Sequence, residues 1–198
     1  QQVERTASHN QPGGSPITRT ASIVWDALAC RVTRQIDEPL IADLRVFRDQ
    51  GYDAFGNVNS TTVTAGTSRS TTSYWGTQGR FPERITNALS QSDNLSWHTA
   101  LGVVASHTDP NGERTSWSVD GFGRRIGETR PDGTSTTWTY SDCAADGCLN
   151  TLNKVLVVER KLDRLGALVA DSKLYLDRFE RPMRSSSKML SGAYNRTD

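Results

Sequence analysis

Apolar and polar residues alternate along much of this chain. Thr115, Trp117 and Val119 share one face of a short segment. Thr134, Thr136, Trp138 and Tyr140 share one face of another, and Ser135, Thr137 and Thr139 point the other way. A period of two in β-branched and aromatic residues predicts strands. Turn signals separate them. Asp109-Pro110-Asn111-Gly112 and Arg130-Pro131-Asp132-Gly133 read as one device. Proline presets the first turn residue, Asn or Asp tolerates the second, and glycine takes the left-handed position that closes a hairpin with a bulge. Val119-Asp120-Gly121-Phe122-Gly123 reads as a turn of another kind, in which an aspartate bonds its own backbone and Gly123 takes positive φ.

The aspartate turn recurs. It appears as Trp25-Asp26-Ala27-Leu28-Ala29, Tyr52-Asp53-Ala54-Phe55-Gly56, Leu162-Asp163-Arg164-Leu165-Gly166 and Leu176-Asp177-Arg178-Phe179-Glu180, with altered frames opening at Tyr74, His98 and Tyr140. Leading positions 25, 52, 74, 98, 119, 140, 162 and 176 are spaced by 27, 22, 24, 21, 21, 22 and 14 residues. Return turns keep step at Gly66, near Ala88-Leu89, at Gly112 and at Gly133. A beat near 22 marks a repeat architecture. The expected fold is all-β: serial antiparallel β-hairpins forming a curved or spiralling sheet. Residues 1–22 read as an irregular lead-in or a poorly formed hairpin, 23–184 as the tandem hairpins, and 185–198 as their truncated continuation. Least repeat-like are residues 33–50, where Ile36-Asp37-Glu38-Pro39 breaks any strand and residues 40–47 read as one strand or a short helix. Seven two-stranded units give about 14 strands, or roughly 65 Å of ribbon. Open sheets beyond about ten strands curl, split or flatten, and right-handed twist accumulates from strand to strand.

Over residues 52–58, 79–91 and 108–140 the chain resembles the tyrosine-aspartate (YD) repeat of the RHS family. That repeat runs Tyr-Asp-x-x-Gly-Arg, then a strand, then Asp-Pro-Asn-Gly or Pro-Asp-Gly-Thr. The resemblance spans about residues 23–184, although only Tyr52-Asp53 spells the dipeptide literally. Members of the family look like long ribbons of hairpins that spiral into hollow shells around a toxin polypeptide. They occur in bacterial toxin complexes and polymorphic contact-dependent toxins, with teneurins as animal relatives. The resemblance implies a structural, non-enzymatic wall segment, secreted or associated with the cell envelope as part of a larger protein. Its implied partners are the rest of its own parent chain, an enclosed toxin polypeptide and other toxin-complex subunits. The family's self-cleaving core segment corresponds to no residues here, so no catalytic residue is carried over. The competing reading is a cell-surface module that binds glycans or protein.

Composition narrows the partners. Net charge is +1, so nothing electrostatic favours nucleic acid or an anionic membrane. No run approaches the roughly 18 apolar residues of a membrane span. Leu, Ile, Val and Phe together make up just under a fifth of the chain. Without high net charge or low complexity this does not mean disorder; it predicts a sheet with one polar face or a thin core. The chain starts without methionine and stops in mid-pattern, so it reads as part of something longer.

Candidate chemistry is sparse. Asp26, Asp53, Asp120, Asp163 and Asp177 invite an acid/base reading, but repetition at one turn position assigns them to turn building. With Gly56, Gly123, Gly166, Pro110, Gly112, Pro131 and Gly133 they form the expected set of structural turn residues. Trp25, Trp75, Trp97, Trp117 and Trp138 suit packing better than sugar stacking, and Trp117 and Trp138 occupy equivalent places in successive units. His98 fills a tyrosine slot, while His9 and His107 are scattered. No metal motif, dinucleotide loop or nucleophile elbow is present, and no cofactor is expected. Asn59, Asn94 and Asn195 open glycosylation triplets of the kind common by chance. Cys143 and Cys148 leave a disulfide and two reduced thiols both open; Cys30 reads as buried.

The turn assignment is testable at Gly133. A β-branched residue at positive φ is strained, so Gly133→Val is expected to destabilise the chain by more than about 1 kcal/mol in urea unfolding. Unchanged stability would remove the turn from this position.

Overall fold

The structure, a computed structural model, describes residues 2–9, 17–142, 155–188 and 192–197. Two compact units divide the chain, residues 1–94 and 95–198. The first contains β1 (Gln2–His9), β2 (Ile17–Asp26), β3 (Arg31–Asp37), β4 (Val46–Tyr52), β5 (Val58–Ala65), β6 (Thr67–Tyr74) and β7 (Arg84–Thr86). Strand β8 (Ser92–His98) carries the chain into the second. There follow β9 (Val103–Thr108), β10 (Arg114–Val119), β11 (Arg125–Thr129), β12 (Ser135–Asp142), β13 (Val155–Leu162), β14 (Leu168–Leu176), β15 (Pro182–Lys188) and β16 (Tyr194–Thr197). Among the described residues the only helix is a 3-10 turn at Ala42–Leu44.

Within each unit the strands pair antiparallel in sequence order, each with the one before and the one after, and the order never returns to its first strand. Each unit is therefore an open series of β-hairpins. This follows from the local code. Short polar turns joining alternating segments allow only neighbour-to-neighbour pairing. Register slips by one residue at Val24/Trp25, Gly51/Tyr52, Ser118/Val119, Lys161/Leu162 and Tyr175/Leu176, each time at the mouth of a turn. Four of these slips flank three-residue loops with one residue at positive φ, where such a bulge fits; the loops after Thr86, Thr108 and Thr129 have the same length and close without a slip.

A single layer leaves little to bury. Leu156 is the one aliphatic side chain buried among the described residues, at 4% exposure. The others buried there are polar: Ser22, Glu38, Ser106, Thr136, Asp171, Asp177 and Ser186. Small hydroxyls pack where strands approach closely. The Ser60 hydroxyl lies over Gly51 and the Ser118 hydroxyl over Gly127, each occupying the space a Cβ on the glycine would need.

One reading of the sequence changes here. Cys30, read as buried, is exposed at the tip of the β2–β3 turn, where it takes φ 52. That turn lacks glycine, so the left-handed position falls to the residue before β3. Of residues 1–22, read as an irregular lead-in or a poorly formed hairpin, β1 and the first part of β2 pair antiparallel from Gln2↔Val24 to His9↔Ile17. Residues 40–47, read as one strand or a short helix, hold a short 3-10 helix at Ala42–Leu44 followed by a strand from Val46. Cys143 and Cys148 lie outside the described residues.

Glu180 and Ser90 hold φ of 61 and 62 at turn positions that glycine fills elsewhere. Side chains there are strained. Glu180→Gly and Ser90→Gly are each expected to raise stability by about 0.5–1 kcal/mol, after the entropy glycine adds to the unfolded chain. Equal or lower urea midpoints would contradict this.

Candidate functional site

The recurrent feature with defined chemistry is the turn. Loops opening at Asp53, Asn87, Asp109, Asp120, Arg130, Asp163 and Asp177 have the same backbone bonds. The first residue's amide donates to the carbonyl four residues on, at 2.9–3.0 Å, and the fourth residue's amide donates back to the first residue's carbonyl, at 3.0–3.1 Å. The fourth residue takes positive φ: Gly56, Ser90, Gly112, Gly123, Gly133, Gly166 and Glu180. Two amides, at the third and fifth residues, have no strand partner. In six of the seven loops one side-chain oxygen of the first residue accepts both, at 2.8–3.1 Å. Aspartate and asparagine are the side chains short enough to do so.

This geometry regroups the turns. Asp109-Pro110-Asn111-Gly112 shares its side-chain bonds with Asp120-Gly121-Phe122-Gly123, the turn set apart from it on sequence. Arg130-Pro131-Asp132-Gly133 is the outlier. Its first residue is Arg130, and Asp132 accepts from the Thr134 amide and hydroxyl at 2.9 and 2.8 Å instead. Pro110 and Pro131 are the second residues of their loops. Asp26 stands in a longer loop and accepts from Leu28 and Ala29 at 3.0 and 3.1 Å.

Side chains beyond the turn tie each hairpin to the next. The Arg31 guanidinium lies over the Tyr52 ring, 4.6 Å from its centroid, and the Tyr52 hydroxyl donates to the Val32 carbonyl at 2.5 Å. The Phe55 ring covers Gly79, and Asn57 Nδ2 donates to the Gly79 carbonyl at 2.7 Å. Trp75 Nε1 donates to the Val58 carbonyl at 2.9 Å. In the second unit Arg124 bonds Asp120 at 2.7 Å and stacks on Tyr140 at 4.3 Å. Arginine after the turn and an aromatic residue one repeat later thus meet both at Arg31/Tyr52 and at Arg124/Tyr140.

The tryptophans follow a rule that one strand alone does not reveal. Trp117 Nε1 donates to Glu128 at 3.0 Å, and Trp138 Nε1 donates to Glu159 at 2.9 Å. Each glutamate sits directly opposite its indole on the next strand. A cation two residues on completes each set, Arg130 beside Glu128 at 2.9 Å and Lys161 beside Glu159 at 3.4 Å. Both indole N–H groups are therefore committed within the sheet. Trp25 is 38% exposed. His98 ends β8, and its carbonyl accepts from Leu101 and Gly102. Among the described residues no group of three or more His, Cys, Asp or Glu side chains is placed to hold a metal ion.

Electrostatics bind the carboxylates to their loops. The Glu113 amide holds the Asp109 carboxyl below its ordinary value, as the Arg181 amide does for Asp177 and the Thr134 amide for Asp132. For Asp53 and Asp120 desolvation is the largest influence and acts upward. It is outweighed by hydrogen bonds, from Asn57 and Phe55 to Asp53 and from Arg124 and Phe122 to Asp120. A depressed folded-state value gives stability that is present above the ordinary aspartate range and lost as pH falls through the lower folded value. Asn87 makes the same bonds without charge. Asp109→Asn is thus expected to lower the melting temperature at pH 7 and to do so much less at pH 3. Asn87→Asp is expected to raise it at pH 7 only. Equal differences at the two pH values would show that charge plays no part in the turn.

Comparison with known proteins fits this geometry. Residues 98–135 match the RHS Repeat family model. No curated protein sequence matches the chain. Among solved structures, the crystal structure of TcdB2-TccC3-TEV matches over 94% of this chain and 10% of that one, at 11% identity and a TM-score of 0.62. TcdB2-TccC3-Cdc42 matches over 92% and 11%, at 12% identity and 0.52. The Tc holotoxin pore of Photorhabdus luminescens matches over 93% and 12%, at 11% identity and 0.51. This chain therefore spans about a tenth of the length of the chains whose fold it shares. The match at 98–135 takes in the Asp109 and Asp120 turns and the Arg130 loop, and over these residues the chain is similar to the repeat of the RHS family.

Proposed function

We propose that this chain is a wall segment of an RHS-repeat toxin-complex protein, a structural element that encloses and shields a polypeptide. The observation that supports this most is the hairpin series itself. Seven loops share one backbone pattern, and neighbouring hairpins lean on each other through Arg31/Tyr52, Asn57/Gly79 and Arg124/Tyr140. A structure that grows by one identical step suits a wall better than a reaction centre. The turn carboxylates engage their own loops rather than converging on a reacting atom. Accumulated strand twist would curve a longer series, and closure of the parent would make a shell. In this reading the partners are the rest of the parent chain, the enclosed polypeptide and other toxin-complex subunits. The parent would act outside the cell or at its envelope.

Limited proteolysis of the parent protein tests the reading. A polypeptide enclosed by the wall is expected to resist a protease that cuts the same polypeptide when it is produced alone. Cleavage at the same rate in both forms would rule out containment.

A further inference from the structure

One depression lies wholly within the first unit and takes no part in the turns. Its volume is about 400 Å³, and Asn59, Ser60, Thr72, Ser73, Tyr74, Arg84 and Thr86 line it. Register explains why five of them converge. Ser60 pairs with Thr72 and Thr72 with Thr86, while Tyr74 pairs with Arg84. Side chains at paired positions share a face, and so do those two residues apart. Ser60, Thr72, Tyr74, Arg84 and Thr86 therefore stand on one face of β5, β6 and β7.

The chemistry of this face is specific. It carries three aliphatic hydroxyls, of which Thr86 shares a hydrogen bond with Ser92 at 2.8 Å and Ser60 lies over Gly51, with one phenol and one guanidinium, and none of its lining residues is acidic. Nearby carboxylates are engaged elsewhere. Asp49, on the same face two positions along from Gly51, is bound by Arg34 at 3.1 Å. Glu83 folds its carboxylate against Gly76. Arg84 gives its Nε to Asn94 at 3.2 Å, which holds the guanidinium in place at the rim. Tyr74 is 51% exposed, so an aromatic surface is presented beside the hydroxyls.

We infer that this groove is a binding site for an acidic saccharide. The volume is within the usual range for small-ligand sites. Clustered hydroxyls exchange hydrogen bonds with sugar hydroxyls in both directions. An exposed aromatic ring receives the apolar face of a pyranose. A fixed guanidinium with no acid in the lining selects a carboxylate or sulfate substituent, because its planar fork matches either group. An apolar ligand would leave these polar groups unpaired. The inference rests on different residues from the wall reading, and failure of one leaves the other intact.

Titration of the whole chain with sialyllactose, lactose sulfate and lactose, followed by NMR or calorimetry, tests the site. At least one anionic sugar is expected to bind at least about tenfold more tightly than lactose, a difference of about 1.4 kcal/mol. Carboxylate or sulfate preference is read from which of the two binds better. Arg84→Gln is expected to abolish the preference, Arg84→Lys to restore part of it, and Tyr74→Ala to weaken all binding about tenfold or more. Both side chains are exposed, and an unchanged melting temperature verifies folding. Thr72→Val removes one hydroxyl and serves in place of Tyr74→Ala should that variant unfold. Equal affinity for lactose, no binding up to about 10 mM sugar, or undiminished binding in the folded variants would overturn the assignment.

Discussion

Six of the hairpins are fixed by one side-chain oxygen that accepts two backbone amides. The three-residue loop leaves those amides without a strand partner, and an unpaired N–H is costly wherever water is excluded. Aspartate reaches both because its carboxylate sits one methylene from the backbone. The consequence extends beyond the loop. With the turn closed, the register of both strands is set, with a bulge at the mouth in four loops and without one beside Asn87, Asp109 and Arg130. A slip of one residue would move every side chain to the opposite face. In most sheets a buried apolar face enforces register. Here Leu156 is the only buried aliphatic side chain among the described residues, so the turns take over that role.

Register fixed at the turns permits contacts that a looser sheet would lose. Trp117 meets Glu128, and Trp138 meets Glu159, because those residues are directly opposite in the ladder. Arg31 reaches Tyr52, and Arg124 reaches Tyr140, because the arginine follows a turn and the aromatic residue stands near the next turn on the same edge. All of these join near neighbours along the series. Stability in such a chain is the sum of each hairpin's own terms and its contacts with the next. Local damage to one turn then weakens two interfaces and leaves the more distant ones in place.

Legibility in the sequence follows the same division. Strand alternation, the beat of about 22 and the all-β series were open to reading because turn chemistry acts within five residues. Resemblance to the RHS family was carried by those same local motifs. Contacts across strands were not readable. Glu128 and Glu159 became the partners of Trp117 and Trp138 only when pairing was known. The kinship of the Asp109 and Asp120 turns was hidden by proline in one and its absence in the other, since sequence displays residue type and the shared feature is a pair of amides. Ser90 and Glu180 concealed their left-handed conformation because neither is glycine. Cys30 misled for a simple reason: cysteine is usually buried, but this one lies in a turn that lacks glycine.

The same mechanics account for a fold retained at 11% identity. Most positions in a one-layer sheet are half exposed and tolerate any residue of moderate β preference. Stringent demands remain at only two places per turn, the acceptor and the left-handed residue. Even these bend. Asn87 substitutes for aspartate with the same bonds, Arg130 gives up the acceptor role to Asp132, and Ser90 and Glu180 accept strain in place of glycine. Selection on such a chain acts on spacing more than on composition. A one-residue insertion inside a strand should therefore harm this fold more than several substitutions on its faces, because it breaks the step between acceptors while the substitutions leave that step unchanged.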